Sequence, residues 1–139
     1  MRFPPDLTAP FEGRFQGHGQ WHDVAGDAGP YTITQTLTPT DTGFDLAFTH
    51  VFPVDPDVNA AYAMEAVASH VFTVSAGGRA LGHGHITEHL IQFFIRVGEL
   101  LVETTIRPTP GGLLVSGFST SNAKGLFTAW SEVHTRAQG

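Results

Sequence analysis

The chain has no cysteine, and that absence removes disulfides, thiolate nucleophiles and every cysteine-ligated metal site at once. Such a composition suits a reducing compartment, so the cytoplasm is the expected location. Basic residues are also scarce: seven Lys and Arg stand against thirteen Asp and Glu, with no cluster among them. A nucleic-acid partner needs a concentrated positive footprint, so DNA and RNA are excluded. No run reaches the length of about eighteen apolar residues that a membrane-spanning helix needs. The opening "MRFPPDLTAPFEG" lacks the apolar core of a signal peptide, and no membrane partner is expected. A Gly-x-Ser-x-Gly elbow, a phosphate-binding glycine loop and a His-Glu-x-x-His pattern are all missing, so acyl transfer, nucleotide and zincin chemistry lack their signatures.

What is present is strand-type alternation. The 139 residues include eleven Phe, enough for one core, and predict a single domain over 1–139 with an irregular N-terminal arm at 1–10. In residues 11–23, Phe15, Gly17, Gly19 and Trp21 share one face, with His18 and His22 on the other. After the turn "GDAGP", Tyr31, Ile33, Gln35 and Leu37 alternate with Thr32, Thr34, Thr36 and Thr38. Phe44, Leu46, Phe48, His50 and Phe52 then share a face of a third strand. The segment at 59–70 is ambiguous: it is Ala-rich with Asn59 as a helix cap, yet it runs without a breaker into "VFTVS", which favours strand. Further strands follow at 79–87, 89–97, 99–107, 112–120 and 125–136, divided by "AGG", "VGE", "TPGG" and "SNAKG". Short links without helical crossovers imply antiparallel neighbours, and closure removes the exposed edges. The prediction is an all-β, antiparallel up-and-down β-barrel of about 8–10 strands, with a lumen sized for one ligand.

Function then depends on which side chains face that lumen. Phe44, Phe48, His50 and Phe93, with Trp21, offer an apolar and aromatic lining for a small hydrophobic molecule. Arg96 and Arg107, if inward, would hold an acidic ligand by its carboxylate. In "LGHGHITEH", His83 and His85 stand about 6–7 Å apart on one strand face, close enough to share a metal with Glu88 as a further ligand. The alternative is that Gly82 and Gly84 admit a neighbouring strand while the two histidines face water. His18 and His22, about 13 Å apart, cannot share an ion. The run "QGHGQW" echoes "LGHGH", and in a barrel these strands lie opposite each other, so inward histidines would flank a flat ligand. Glu65 or Glu103 beside a histidine would supply acid–base chemistry.

Two resemblances bear on these alternatives. "GGRALGHGHITEH" is superficially similar to the first cupin motif, with Glu88 one or two residues early and no second motif downstream. "GRFQGHG" resembles the Gly-x-Trp-x-Gly-x-Gly run opening nitrobindin-type barrels, relatives of the fatty-acid-binding proteins in the calycin group, with Phe15 in place of Trp. That resemblance covers the first strand by motif and the rest by length and style. It implies a ten-stranded, lipocalin-like calycin barrel, haem as cofactor on a last-strand histidine, and reaction with nitrogen oxides. The last strand, "LFTAWSEVHTR", holds one histidine, His134, which with His18 is the axial candidate. Three functions follow as expectations: a carrier of a small hydrophobic molecule, a haem barrel, or a metal-dependent enzyme, with a homodimer compatible with each.

Overall fold

The computed structural model describes residues 1–137. Ten strands follow one another: β1 (Gly13–Asp23), β2 (Ala28–Thr40), β3 (Gly43–Val51), β4 (Val58–Ala66), β5 (Val71–Ala76), β6 (Arg79–Ile86), β7 (Ile91–Val97), β8 (Leu100–Thr109), β9 (Gly112–Ser121) and β10 (Leu126–Arg136). Each pairs antiparallel with its sequence neighbours, and β10 returns to pair with β1 from Phe15↔Arg136 to Asp23↔Thr128. The result is a closed up-and-down barrel, as the alternation predicts. Closure matters energetically because every strand then has its backbone polar groups paired on both sides.

The ambiguous segment at 59–70 resolves as strand β4 as far as Ala66, which turns Ala60, Tyr62, Met64 and Ala66 inward, and as a bend at 67–70. Helix propensity favours alanine by only tenths of a kcal/mol per residue. Two flanking ladders, to β3 and β5, outweigh it. The β5–β6 connection is a tight turn in which Gly77 and Gly78 both have positive φ, 57° and 78°, a requirement that glycine meets without strain.

The barrel has two unlike halves. At the end where β1 begins, the N-terminal segment folds across the opening, its single 3-10 turn (Ala9–Phe11) placing Phe11 in the interior with no exposure. Phe3 packs on Phe44 and Phe72 at ring-centroid distances of 6.2 Å, and those two rings meet edge-on at 5.4 Å. Phe15, Leu37, Ile86 and Leu113 complete a solid apolar plug. Gly84 fits this plug because a Cβ there would stand 2.5 Å from Phe72 Cζ and 2.6 Å from the Phe93 side chain. The other half, under the loops at 24–27, 52–57 and 98–99, is hollow.

Phe11 should therefore behave as a core residue despite lying outside the sheet. Phe11→Ala is expected to cost about 3–5 kcal/mol, whereas Thr38→Ala on the outer face should stay within about 0.5 kcal/mol. Urea unfolding midpoints at unchanged slope measure both, and equal, small effects would show that the N-terminal segment does not close the barrel.

Candidate functional site

The hollow half contains a cavity of about 850 Å³ open at the loop end. Alternation sends Phe48, Tyr62, Phe93, Ile95, Val102 and Trp130 into it from different strands, so most of the wall is apolar or aromatic. Asp55, Pro56 and Asp57 of the β3–β4 loop form part of the mouth. No Lys or Arg lines the cavity.

A polar cluster sits within this apolar wall, and strand β1 makes it geometrically available. In the ladder, Tyr31 of β2 pairs with Gly19 of β1, which pairs with Glu132 of β10. Tyr31 and Glu132 are thus two strands apart, with glycine between them. A Cβ at Gly19 would lie 2.7 Å from Tyr31 Cζ and 2.9 Å from Glu132 Cγ, and one at Gly17 would lie 2.9 Å from His134 Cδ2. With both positions bare, the Tyr31 hydroxyl reaches across β1 and donates to Glu132 Oε2 at 2.6 Å. His134 Nε2 lies 2.8 Å from Glu132 Oε1, and His50 Nε2 lies 3.5 Å from Oε2.

The Glu132 side chain is 2% exposed, and an ionised carboxylate needs donors there. Tyr31 and His134 supply them. Burial, then the Glu132 charge, then the hydrogen bond push the Tyr31 pKa far up, so its hydroxyl stays protonated. Burial likewise raises Tyr62. For His50, burial lowers the pKa, the Glu132 charge pulls the other way, and His134 lowers it further, so the net shift is downward. His50 is therefore a neutral imidazole at pH 7, stacked on Phe48 at 4.7 Å and tilted against Tyr31 at 5.0 Å. Among the described residues, buried Gln35 Nε2 and His134 Nδ1 have no hydrogen-bond partner. Gln35 lines the cavity.

The candidates read from the sequence are distributed as follows. Trp21, Phe48, His50 and Phe93 line the cavity. Phe44 lies below it in the apolar plug. Arg96 and Arg107 are exposed on the outer wall, because Phe93 and Ile95 of β7 and Ile106 of β8 take the alternate, inward positions. Neither arginine can hold a ligand carboxylate in the lumen. His18 is also outside, since Gly17 and Gly19 face in, and this corrects its assignment as a lumen or axial residue. His83 and His85 are exposed for the same reason: Gly82 and Gly84 take the inner face. His85 Nε2 contacts Gln92 Oε1 at 3.1 Å, and Glu88 is exposed beside His89. Among the described residues no group of three His, Cys, Asp or Glu is placed to hold a metal ion, which corrects the His-x-His reading. His134 is inside but sealed, with its Nε2 engaged by Glu132. Glu65 is exposed, and Glu103 joins Gln92 on the outer wall. Sequence reasoning missed Tyr31, Gln35, Glu132 and Trp130 as site residues. The available signal was a polar residue within the inward-facing set: Gln35 between Ile33 and Leu37, and Glu132 between Trp130 and His134.

The direction of the His50 shift fixes a pH effect. The folded protein binds the His50 proton more weakly than the unfolded chain does, whose pKa is near 6.5. Stability is therefore undiminished above that value and falls as pH drops below it, toward the lower folded pKa. The groups facing His50 are Glu132, His134 and Tyr31. Between pH 7.5 and 5, the fall in Tm should be shallower in His50→Gln than in the unmutated chain, and parallel curves would contradict the burial of a neutral imidazole. Tyr31→Phe, which strips a donor from the buried carboxylate, is expected to lower stability by about 1.5–3 kcal/mol in urea unfolding.

No family of known sequences matches the chain, and no curated protein matches it either. Solved structures do. The S-type phycobiliprotein lyase CPES from Guillardia theta superposes with a TM-score of 0.75 at 10% identity, over 96% of this chain and 92% of that one. A protein of unknown function of the DUF3598 family from Nostoc punctiforme gives 0.68 at 8% identity, over 99% of this chain, which spans 51% of that protein. Rv2717c from M. tuberculosis gives 0.59 at 10% identity, over 98% and 99% of the two chains. At these identities the likeness is one of fold: the chain is a calycin-like barrel.

Proposed function

We propose that this barrel binds one small, largely apolar molecule in its lumen. The observation that carries the proposal is the cavity of about 850 Å³, open at one end, walled by aromatic and aliphatic side chains and holding one buried carboxylate cluster. Volume and wall chemistry fall within the range of ligand sites, roughly 300–1,000 Å³ with few, placed polar groups. The fold shared with a phycobiliprotein lyase supports a small-molecule role for the lumen. Trp21, Phe48, His50 and Phe93 would contact the ligand directly.

The haem reading has weaker support. Its axial bond would come from His134 or His18; His18 faces solvent, and His134 is fully enclosed with Nε2 on Glu132. The residues present do not offer either candidate a free nitrogen in the cavity, so no chemistry is derived through haem.

Titration with the neutral fluorophore N-phenyl-1-naphthylamine tests the proposal. A saturable, one-site rise in emission is expected, with affinity at least about tenfold weaker, some 1.4 kcal/mol, in Ala60→Phe. That change projects a ring into the lumen from the wall position paired with Phe48. Absence of saturable binding by a folded protein would remove the reading. A Soret shift with haemin that His134→Ala alone abolishes would replace it with the haem reading.

A further inference from the structure

We infer that the lumen selects a ligand with a basic nitrogen head, a protonated amine or comparable N–H donor, seated against Glu132 with its apolar body among the aromatic rings. The inference rests on the ligand-binding reading and adds the chemical class. The deciding feature is the sign of the fixed charges the ligand would meet. Among the described residues, Glu132 is the one ionisable carboxylate inside, and no Lys or Arg lines the wall to oppose it. His50, whose pKa burial lowers, brings no positive charge at pH 7, and Tyr31 and Tyr62 remain protonated hydroxyls. His134, the nearest basic group, is fully enclosed and hydrogen-bonded to Glu132 Oε1, and it is not part of the cavity lining. At the mouth, Asp55 and Asp57 belong to the lining itself. Asp23, Asp27 and Glu99 stand on neighbouring loops of that end, against Arg79 and Lys124 as the basic residues of the same loops and strand starts.

A carboxylate head would approach aspartates, then reach Glu132 with no lining Lys or Arg to receive it. An ammonium head is drawn at both stages, and the low-polarity lumen strengthens the attraction relative to water. The wall adds to the same preference, because Trp21, Tyr31, Phe48, Tyr62 and Trp130 line the path with aromatic rings, a residue type that attracts cations. A second, independent polar feature supports a ligand here. Gln35 is 4% exposed, lines the cavity and has an unpartnered Nε2 donor. An acceptor oxygen on the ligand, a hydroxyl, ether or carbonyl, would satisfy it. The expected class is thus an apolar amine bearing such an oxygen, which separates this lumen from carriers that grip fatty acids through an internal arginine.

Competition against N-phenyl-1-naphthylamine at pH 7, with dodecylamine and dodecanoate below their micellar concentrations, tests the inference using ligands alike in length and opposite in charge. Dodecylamine is expected to displace the probe at roughly one-tenth of the dodecanoate concentration or less. In Glu132→Gln the two should converge to within about threefold while the probe still binds. Because that variant removes the centre of a buried cluster and folding could suffer, Asp55→Asn/Asp57→Asn at the rim provides a second arm: the gap should narrow, and its salt dependence should weaken. Equal affinities in the unmutated protein, or tighter dodecanoate, would overturn the inference and leave the ligand-binding reading intact as long as the probe binds. Failure of the probe itself would overturn both.

Discussion

Strand β1 has hydrogen atoms where side chains would otherwise keep its neighbours apart, and the interior of the barrel is organised around that gap. Gly17 and Gly19 face the lumen, and the strands on either side, β2 and β10, carry Tyr31, Glu132 and His134 at the matching heights. An alanine at Gly19 would bring its Cβ within 2.9 Å of both Tyr31 and Glu132, closer than carbon atoms tolerate. Strand β1 also forms, with β10, the seam that closes the sheet. The glycines therefore serve a geometric end at a cost in strand propensity, and the contact they permit is one that no adjacent-strand pair could make.

That contact explains why the two halves of one continuous sheet differ. In the plugged half, inward positions hold Phe15, Leu37, Phe44, Phe72 and Leu113, and the N-terminal segment adds Phe3 and Phe11, so apolar side chains fill the volume. In the hollow half, aromatic rings lie against the wall instead of meeting at the axis. Gly29 seats Trp21 and Gly117 seats Trp130, with an added Cβ falling 2.9 Å and 2.8 Å from the respective indoles. Small residues beside large ones thus flatten the rings and leave the centre open. Loops at this end do not fold inward as the N-terminal segment does at the other, and the cavity remains connected to solvent through the mouth at Asp55 and Asp57.

Much of this is legible because strand alternation has a period of two: Tyr31, Ile33, Gln35 and Leu37 of β2 and Phe44, Leu46, Phe48 and His50 of β3 face inward as their spacing predicts. The same rule would have excluded some functional candidates. His18 and Trp21 differ by an odd number of positions on one strand and cannot both face the lumen; Arg96 has the parity opposite to Phe93 and Ile95. The His-x-His run drew attention by residue type, whereas its glycines were the inward residues and the histidines their consequence. Strand assignment at 59–70 required the two flanking ladders, which propensity does not contain. The meeting of Tyr31 with Glu132 lay further out of reach, since it joins residues 101 apart and depends on the register of the closing seam. Alternation identifies which residues face inward; only closure identifies which of them meet.

A buried carboxylate is a poor device for stabilising a barrel. Replacing such a group and its partners with well-packed apolar residues is often neutral or stabilising, and the plugged half of this protein shows that the chain builds apolar packing where nothing else is required. Glu132 instead stands where the lumen is open, with two short hydrogen-bonding contacts, to Tyr31 and His134, that hold it in place. On the same cavity wall, lined largely by aromatic residues, the buried Gln35 Nε2 is unpartnered. A buried carboxylate, aromatic walls and an unanswered donor together describe the complement of a molecule that carries a positive or N–H head, an apolar frame and an acceptor oxygen, and on the proposed reading it is that complement, rather than stability, that accounts for polar groups persisting at this depth.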